Sequence, residues 1–144
     1  MERKLVFNAK EIEGFSPSGS EDAFESRLLV DQESVGSQRM VMNHFTLRPG
    51  KNTDAGSHPA PFDEIYYVLH GRGTVYLGEQ REPHAIGPDS YVFIPCGTLH
   101  YLVNQSDKDL EMITLMPGPL VKGGNPLYDA RKETWGTSFR QIKG

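Results

Sequence analysis

The sequence predicts an all-β domain, and three observations carry that expectation. The apolar residues fall in short, strand-sized runs. The 15 glycines and 10 prolines sit between those runs as punctuation, above the usual combined share of roughly 12% but below the range that signals disorder. No stretch between the runs shows the apolar period of an amphipathic helix.

Residues 1–25 are polar and Ser/Gly-rich, with Ser16-Pro17-Ser18-Gly19-Ser20 at their centre, and read as an arm and a loop. Strand-like runs follow at Arg27–Val30, Gln38–Leu47, Glu64–His70, Thr74–Leu77, Ser90–Pro95, Leu99–Val103 and Leu110–Met116. Turn signals part them: Arg48-Pro49-Gly50, Gly71-Arg72-Gly73, Gly78-Glu79-Gln80, Gly87-Pro88-Asp89, Pro95-Cys96-Gly97 and 104–109. In the tail, residues 117–144, Pro117, Pro119, Gly123, Gly124 and Pro126 forbid regular structure at first, and one short helix is expected over Leu127–Trp135. The organisation expected is an N-terminal arm (1–25), a barrel (26–116) and a C-terminal tail (117–144) around a single core.

Composition narrows the function classes. A chain of 144 residues buries enough surface to fold without disulfides. No apolar run approaches the ~20 residues of a membrane span, and Met1-Glu2-Arg3-Lys4 leads into no apolar leader core. The net charge is -4 and the basic residues are scattered, so nucleic acid is not an expected partner. The single cysteine, Cys96, fits a reducing, cytoplasmic setting and reads as a small buried side chain.

Two stretches carry chemistry. One runs from Gly50 through His58, Glu64 and Tyr66 to Gly71; the other is Pro95-x-Gly97-x-x-His100-x-x-x-Asn104. Imidazole and carboxylate are ligands suited to iron, zinc, manganese or nickel. Glu64 is a charged residue inside an apolar run. Strand alternation puts Tyr66 and Val68 on its face and Ile65 and Tyr67 on the other; Asp63 faces away from it. Each residue also has an ordinary reading: a solvated loop histidine for His58, an edge-strand carboxylate for Glu64, a histidine at a barrel mouth for His100 and a core-filling phenol for Tyr66. His70 and His84 flank turns and read as solvated; Gly97 and Asn104 read as turn-formers.

Together the two stretches resemble the paired signature motifs of the cupin superfamily, over about Gln38 to Met116. The resemblance implies a double-stranded β-helix, a jelly-roll barrel in which two histidines and a glutamate of the first motif and one histidine of the second meet on a divalent metal. The implied ligands are His58, Glu64 and His100, a set like the two-His-one-carboxylate triad. The family's first motif carries His-x-His, and only one imidazole is present. Either Gly56 fills the first slot and His58 the second, or His58 fills the first and Ala60 the second. His44, on the preceding strand, is a candidate substitute if it faces inward. In the cupin lyases that cleave dimethylsulfoniopropionate a tyrosine follows the glutamate at the spacing of Tyr66, which implies a general acid/base there.

The expected function is therefore a metal-binding cupin enzyme, an oxygenase, lyase or isomerase acting on a small polar or carboxylate-bearing molecule. The alternative is a non-catalytic barrel that binds or senses a small ligand. The arms and the edge strands of a small barrel lead to the expectation of a homodimer.

Overall fold

The computed structural model describes residues 5–12, 14–17, 23–119 and 139–142. Its strands are β1 (Gly14–Pro17), β2 (Phe24–Val30), β3 (Met40–Leu47), β4 (Glu64–His70), β5 (Gly73–Leu77), β6 (Glu82–Ile86), β7 (Tyr91–Ile94), β8 (His100–Val103), β9 (Leu110–Pro117) and β10 (Phe139–Ile142). Among the described residues the only helical pieces are a single turn at Ala9–Glu11 and a four-residue helix, α1 (Gln32–Val35). Asp31 caps α1 in a capping box with Ser34, and Gly36 closes it in the left-handed conformation.

The strands form two antiparallel sheets. The larger has the order β10-β1-β2-β3-β9-β4-β7, the smaller β6-β5-β8. Non-consecutive neighbours such as β3, β9 and β4 are the crossovers of a jelly-roll. The core lies between the sheets and is formed by Leu47, Tyr66, Val68, Val75, Ile86, Val92, Ile94, Leu102, Leu110 and Met112. β4 alternates buried and exposed from Glu64 through Val68, as expected, with Glu64, Tyr66 and Val68 inward.

The three-stranded sheet gains an irregular fourth member. The loop after β3 runs beside β8, with Asn52 opposite Val103 and Gly56 opposite His100. Gly56 and His100 exchange both backbone hydrogen bonds, at 3.1 and 2.8 Å. The loop that carries His58 is thereby tied to the strand that carries His100.

Three strands were not expected from the sequence. Gly14–Pro17, read as part of an arm and loop, is β1; it pairs with β2 on one side and with β10, from the far end of the chain, on the other. Buried Ser16 lies within it. β6 contains Pro83 and buries only Ile86, so it lacks the alternation that marks a strand; it is an edge strand, where proline is tolerated. The helix expected over Leu127–Trp135 lies outside the described residues. No helix among the described residues is long and apolar enough to cross a membrane.

Candidate metal centre and its cavity

Three chain segments converge on one point. His58 comes from the loop after β3, Glu64 opens β4, and His100 opens β8. One donor atom from each lies within 4.8 Å of the other two. Nε2 of His58 stands 3.2 Å from Glu64 Oε1, and Nε2 of His100 stands 3.6 Å from the same oxygen. Glu64 and His100 are buried and His58 half-buried.

Backbone contacts set these positions. The Gly97 N–H donates to the His58 carbonyl at 2.7 Å, and the Cys96 N–H donates to Asp63 Oδ1 at 2.9 Å. The tight turn Pro95–Thr98 is thus fastened twice to the segment that delivers His58 and Glu64. Gly97 adopts φ 79°, a conformation glycine takes without cost. Asp63, adjacent to Glu64, is a strut in this fastening. Nδ1 of His100 lies 2.9 Å from the Thr98 carbonyl; a carbonyl only accepts, so this nitrogen carries the proton.

That tautomer tests the fit of a metal. With Nδ1 protonated, neutral His100 turns the lone pair of Nε2 toward a carboxylate oxygen that is also electron-rich. Two buried lone-pair donors facing each other need a proton or a cation between them. His58, Glu64 and His100 form an N2O set that suits a divalent transition ion, and the Thr98 carbonyl orients one imidazole as partners of ligating histidines do.

Without a cation, electrostatics couples the same groups. Burial alone would raise the Glu64 carboxyl, but hydrogen bonds from His100 and His58 and their positive charge outweigh it and hold the group at about 2. Burial pulls the His100 imidazole down, and the Glu64 carboxylate with the Thr98 carbonyl overcomes it, leaving the group above its ordinary value. Tyr66 sits on the same face of β4, its ring centroid 6.1 Å from that of His100. Burial first, and then the Glu64 carboxylate, pushes its phenol well above the ordinary range, so it keeps its proton at neutral pH.

The cluster opens into a cavity of about 480 Å³, within the range of small-molecule sites. Beyond the cluster its walls are largely apolar, with Phe24, Phe45, Leu102, Met112 and Met116. Gly56 lines the cavity, and a Cβ there would meet no atom within 4 Å. Ala60 is exposed and does not line it. Of the two positions that the alignments leave without an imidazole, Gly56 is the one that lines the cavity.

His44 does not fill that gap. It points to the outer face of the large sheet, where Nε2 lies 3.2 Å from Glu111, while its neighbours Asn43 and Phe45 line the cavity. The condition set for His44, an inward face, is not met, because the parity of β3 turns it out. His70 and His84 are exposed and Cys96 half-buried. Asn104 is more than a turn-former: fully buried, it donates to the carbonyls of Leu47 and Lys108 and accepts from Ser106.

Sequence reasoning passed over Ser26, Asn43 and Thr114, all of which line the cavity. Thr114 is a single polar residue between Ile113 and Leu115, the signal that singled out Glu64, whereas Asn43 stands next to His44 in a run that does not mark it out.

The family model for the cupin domain matches residues 43–116, just over half of the chain. The chain belongs to the cupin family. The similarity of this cupin to individual proteins is more distant. Vicilin C72 of Gossypium hirsutum is 32% identical over 76 residues, which are 51% of the chain and 13% of the vicilin. The chain thus spans only a small part of that curated relative. Among solved structures, the polyketide cyclase RemF from Streptomyces resistomycificus aligns over 92% of this cupin and 94% of its own chain, with a TM-score of 0.67 and 20% identity. A predicted oxalate decarboxylase from Thermotoga maritima aligns over 78% and 98%, with a TM-score of 0.67 and 22% identity. Likeness at this level shows the fold, and the site must be argued from its own residues.

Proposed function

We propose that this cupin is a metal-dependent enzyme that holds a divalent transition ion, iron, zinc, manganese or nickel, on His58, Glu64 and His100. The observation that carries the reading is the convergence of these donors, from three separate segments, within 4.8 Å at the head of a substrate-sized cavity. Three protein ligands and the unfilled Gly56 position leave coordination sites for water or substrate, as in catalytic centres. When bound, the ion supplies Lewis-acid polarisation of a substrate oxygen. The protein supplies orientation and a proton. Tyr66 is buried, protonated and beside the Glu64 carboxylate, so it is placed to donate a proton to a developing oxyanion. Oxygenase, lyase and isomerase chemistry all fit this arrangement, on a small molecule bearing polar or carboxylate oxygen.

The test is metal content followed by turnover. Protein purified without a chelating tag and reconstituted in turn with iron, zinc, manganese and nickel should take up one equivalent of at least one of them, and His100→Ala should lose most of it. Uptake of none of the four would overturn the reading.

The same reading extends to a homodimer and to the reducing compartment that a lone cysteine fits. The outer face of the large sheet exposes Ile65, Tyr67, Tyr91, Phe93 and Leu115. The register makes them one patch: Phe93, Ile65 and Leu115 lie in one row across β7, β4 and β9, and Tyr91 and Tyr67 in the next. Contiguous apolar patches of this extent mark interaction surfaces, and a two-fold axis would let the patch cover itself in a second copy.

A further inference from the structure

The inner face of the large sheet carries a row of polar side chains that the metal centre does not use. Asn43 on β3 lies directly opposite Thr114 on β9, and Thr114 directly opposite Tyr66 on β4. Directly opposite residues of antiparallel strands share a face, and all three are buried and line the cavity. The row therefore runs from the phenol beside Glu64 away from the metal centre. Its far end is held from below. Ser26 Oγ, itself buried, donates to Asn43 Oδ1 at 2.8 Å. With its oxygen engaged, the Asn43 amide leaves its nitrogen as a donor, and that nitrogen makes no hydrogen bond among the described residues. The Thr114 hydroxyl likewise has no side-chain partner among them. No side-chain nitrogen or oxygen among the described residues is buried without a partner, so these two groups are open to the cavity, where a ligand or water can take them up.

The next row on the same sheet face is apolar, and Leu102 faces it from the smaller sheet. Phe24 and Phe45 pack with ring centroids 5.1 Å apart and line the same cavity with Leu102 and Met112. A molecule seated here presents flat apolar faces to those side chains and an oxygen-bearing edge to the row.

We propose that Asn43, set by Ser26, and Thr114 are specificity-determining residues that recognise a planar, apolar-bodied substrate carrying two oxygens in a 1,3 relation. This rests on the reading of the cavity as the substrate site. Neighbouring strands stand ~4.8 Å apart, and successive rungs of the row repeat at that interval. The oxygens of a meta-dioxygenated ring, or of an extended 1,3-dicarbonyl, are separated by about one such step. Vicinal oxygens are too close to reach two rungs.

Resorcinol is the probe, with catechol, hydroquinone and phenol as comparisons. Calorimetry on metal-free protein removes chelation from the readout. Resorcinol should bind at least about fivefold more tightly than phenol, the margin of one added hydrogen bond to a waiting donor, and more tightly than either isomer. Thr114→Val, a near-isosteric change, and Asn43→Leu should each bring the resorcinol-to-phenol ratio close to one while phenol itself binds as before. Ser26→Ala/Asn43→Leu serves if the single Asn43 variant fails to fold, since it leaves no serine hydroxyl unpaired. Equal binding of resorcinol and phenol, or a preference that survives Thr114→Val, overturns the proposal. Metal uptake, measured in parallel, separates the two readings: a resorcinol preference without metal binding refutes the metal enzyme alone, and normal metal uptake without the preference refutes the recognition row alone.

Discussion

Replacing Asn104 by leucine keeps the branching and heavy-atom count of a fully buried side chain and removes the four hydrogen bonds it makes. Their losses are unequal. Leu47 is itself fully buried, so its carbonyl, now 2.9 Å from the Asn104 amide, has no water to turn to. An orphaned buried acceptor costs about 1–3 kcal/mol. Lys108 is exposed and Ser106 half-buried, so water takes over much of the other three bonds, at a few tenths of a kcal/mol each. The sum is about 3 kcal/mol, which for a chain of this size lowers the melting temperature by about 6–12 °C. Ser106→Ala is the control: it removes only the hydroxyl's share on the wet side and should cost no more than about 1 kcal/mol. Urea unfolding followed by circular dichroism gives both numbers, and the slope with denaturant should not change. Equal destabilisation by Asn104→Leu and Ser106→Ala would refute the argument, because the dry Leu47 carbonyl would then contribute nothing. Asn104 closes the strand that begins at His100, yet it lies away from the ligand atoms, so metal stoichiometry below the melting temperature should be unchanged.

The metal-free protein should be most stable between about pH 4.5 and 6.5. Glu64 is depressed from 4.5 to about 2, so its contribution is present above 4.5 and lost as pH falls toward 2; His100 is raised above 6.5, so its contribution is present below 6.5 and lost as pH rises through its folded value. Glu64→Gln should abolish that optimum in thermal melts across pH. Metal binding should follow the opposite course, weakening as pH falls through the raised value of His100 and its imidazole takes up a proton, which titration of the ion at fixed pH values reads directly. Gly71→Ala and Gly78→Ala form a matched pair. Both glycines hold φ near +80°, but a Cβ at Gly71 would stand 2.1 Å from the Asp109 carbonyl oxygen, whereas at Gly78 it meets nothing within 4 Å. Gly78→Ala should cost about 1–2 kcal/mol, the left-handed penalty alone, and Gly71→Ala clearly more; equal unfolding midpoints would contradict the close approach. Light scattering should give a mass of twice 16.1 kDa, and Tyr91→Lys with Phe93→Lys should halve it; an unchanged dimer in that variant would move the interface elsewhere.

What the sequence determined by itself is what short-range physics governs. Glu64–His70 was legible as a strand with a charged residue on its inner face because alternation is a property of consecutive residues. The patterns ending at Gly71 and containing Gly97 were legible because φ of 85° and 79° admits few residues other than glycine. The resemblance that those two patterns carry implies His58, Glu64 and His100 as ligands. Other features depended on contacts between distant segments. β1 exists because Gly14–Pro17 finds β2 on one side and Phe139–Ile142 on the other, and no local signal in Gly-Phe-Ser-Pro announces such a pairing. Strand parity is the clearest case. Alternation says that Asn43 and His44 face opposite ways but not which way is inward; that was decided by the antiparallel register of β3 with β9, which places Asn43 against Thr114 and turns His44 out to Glu111. Likewise Gly56 rather than Ala60 lines the cavity because the loop after β3 adds itself to β8 opposite His100, and a backbone pairing across 44 residues of sequence is set by tertiary packing alone.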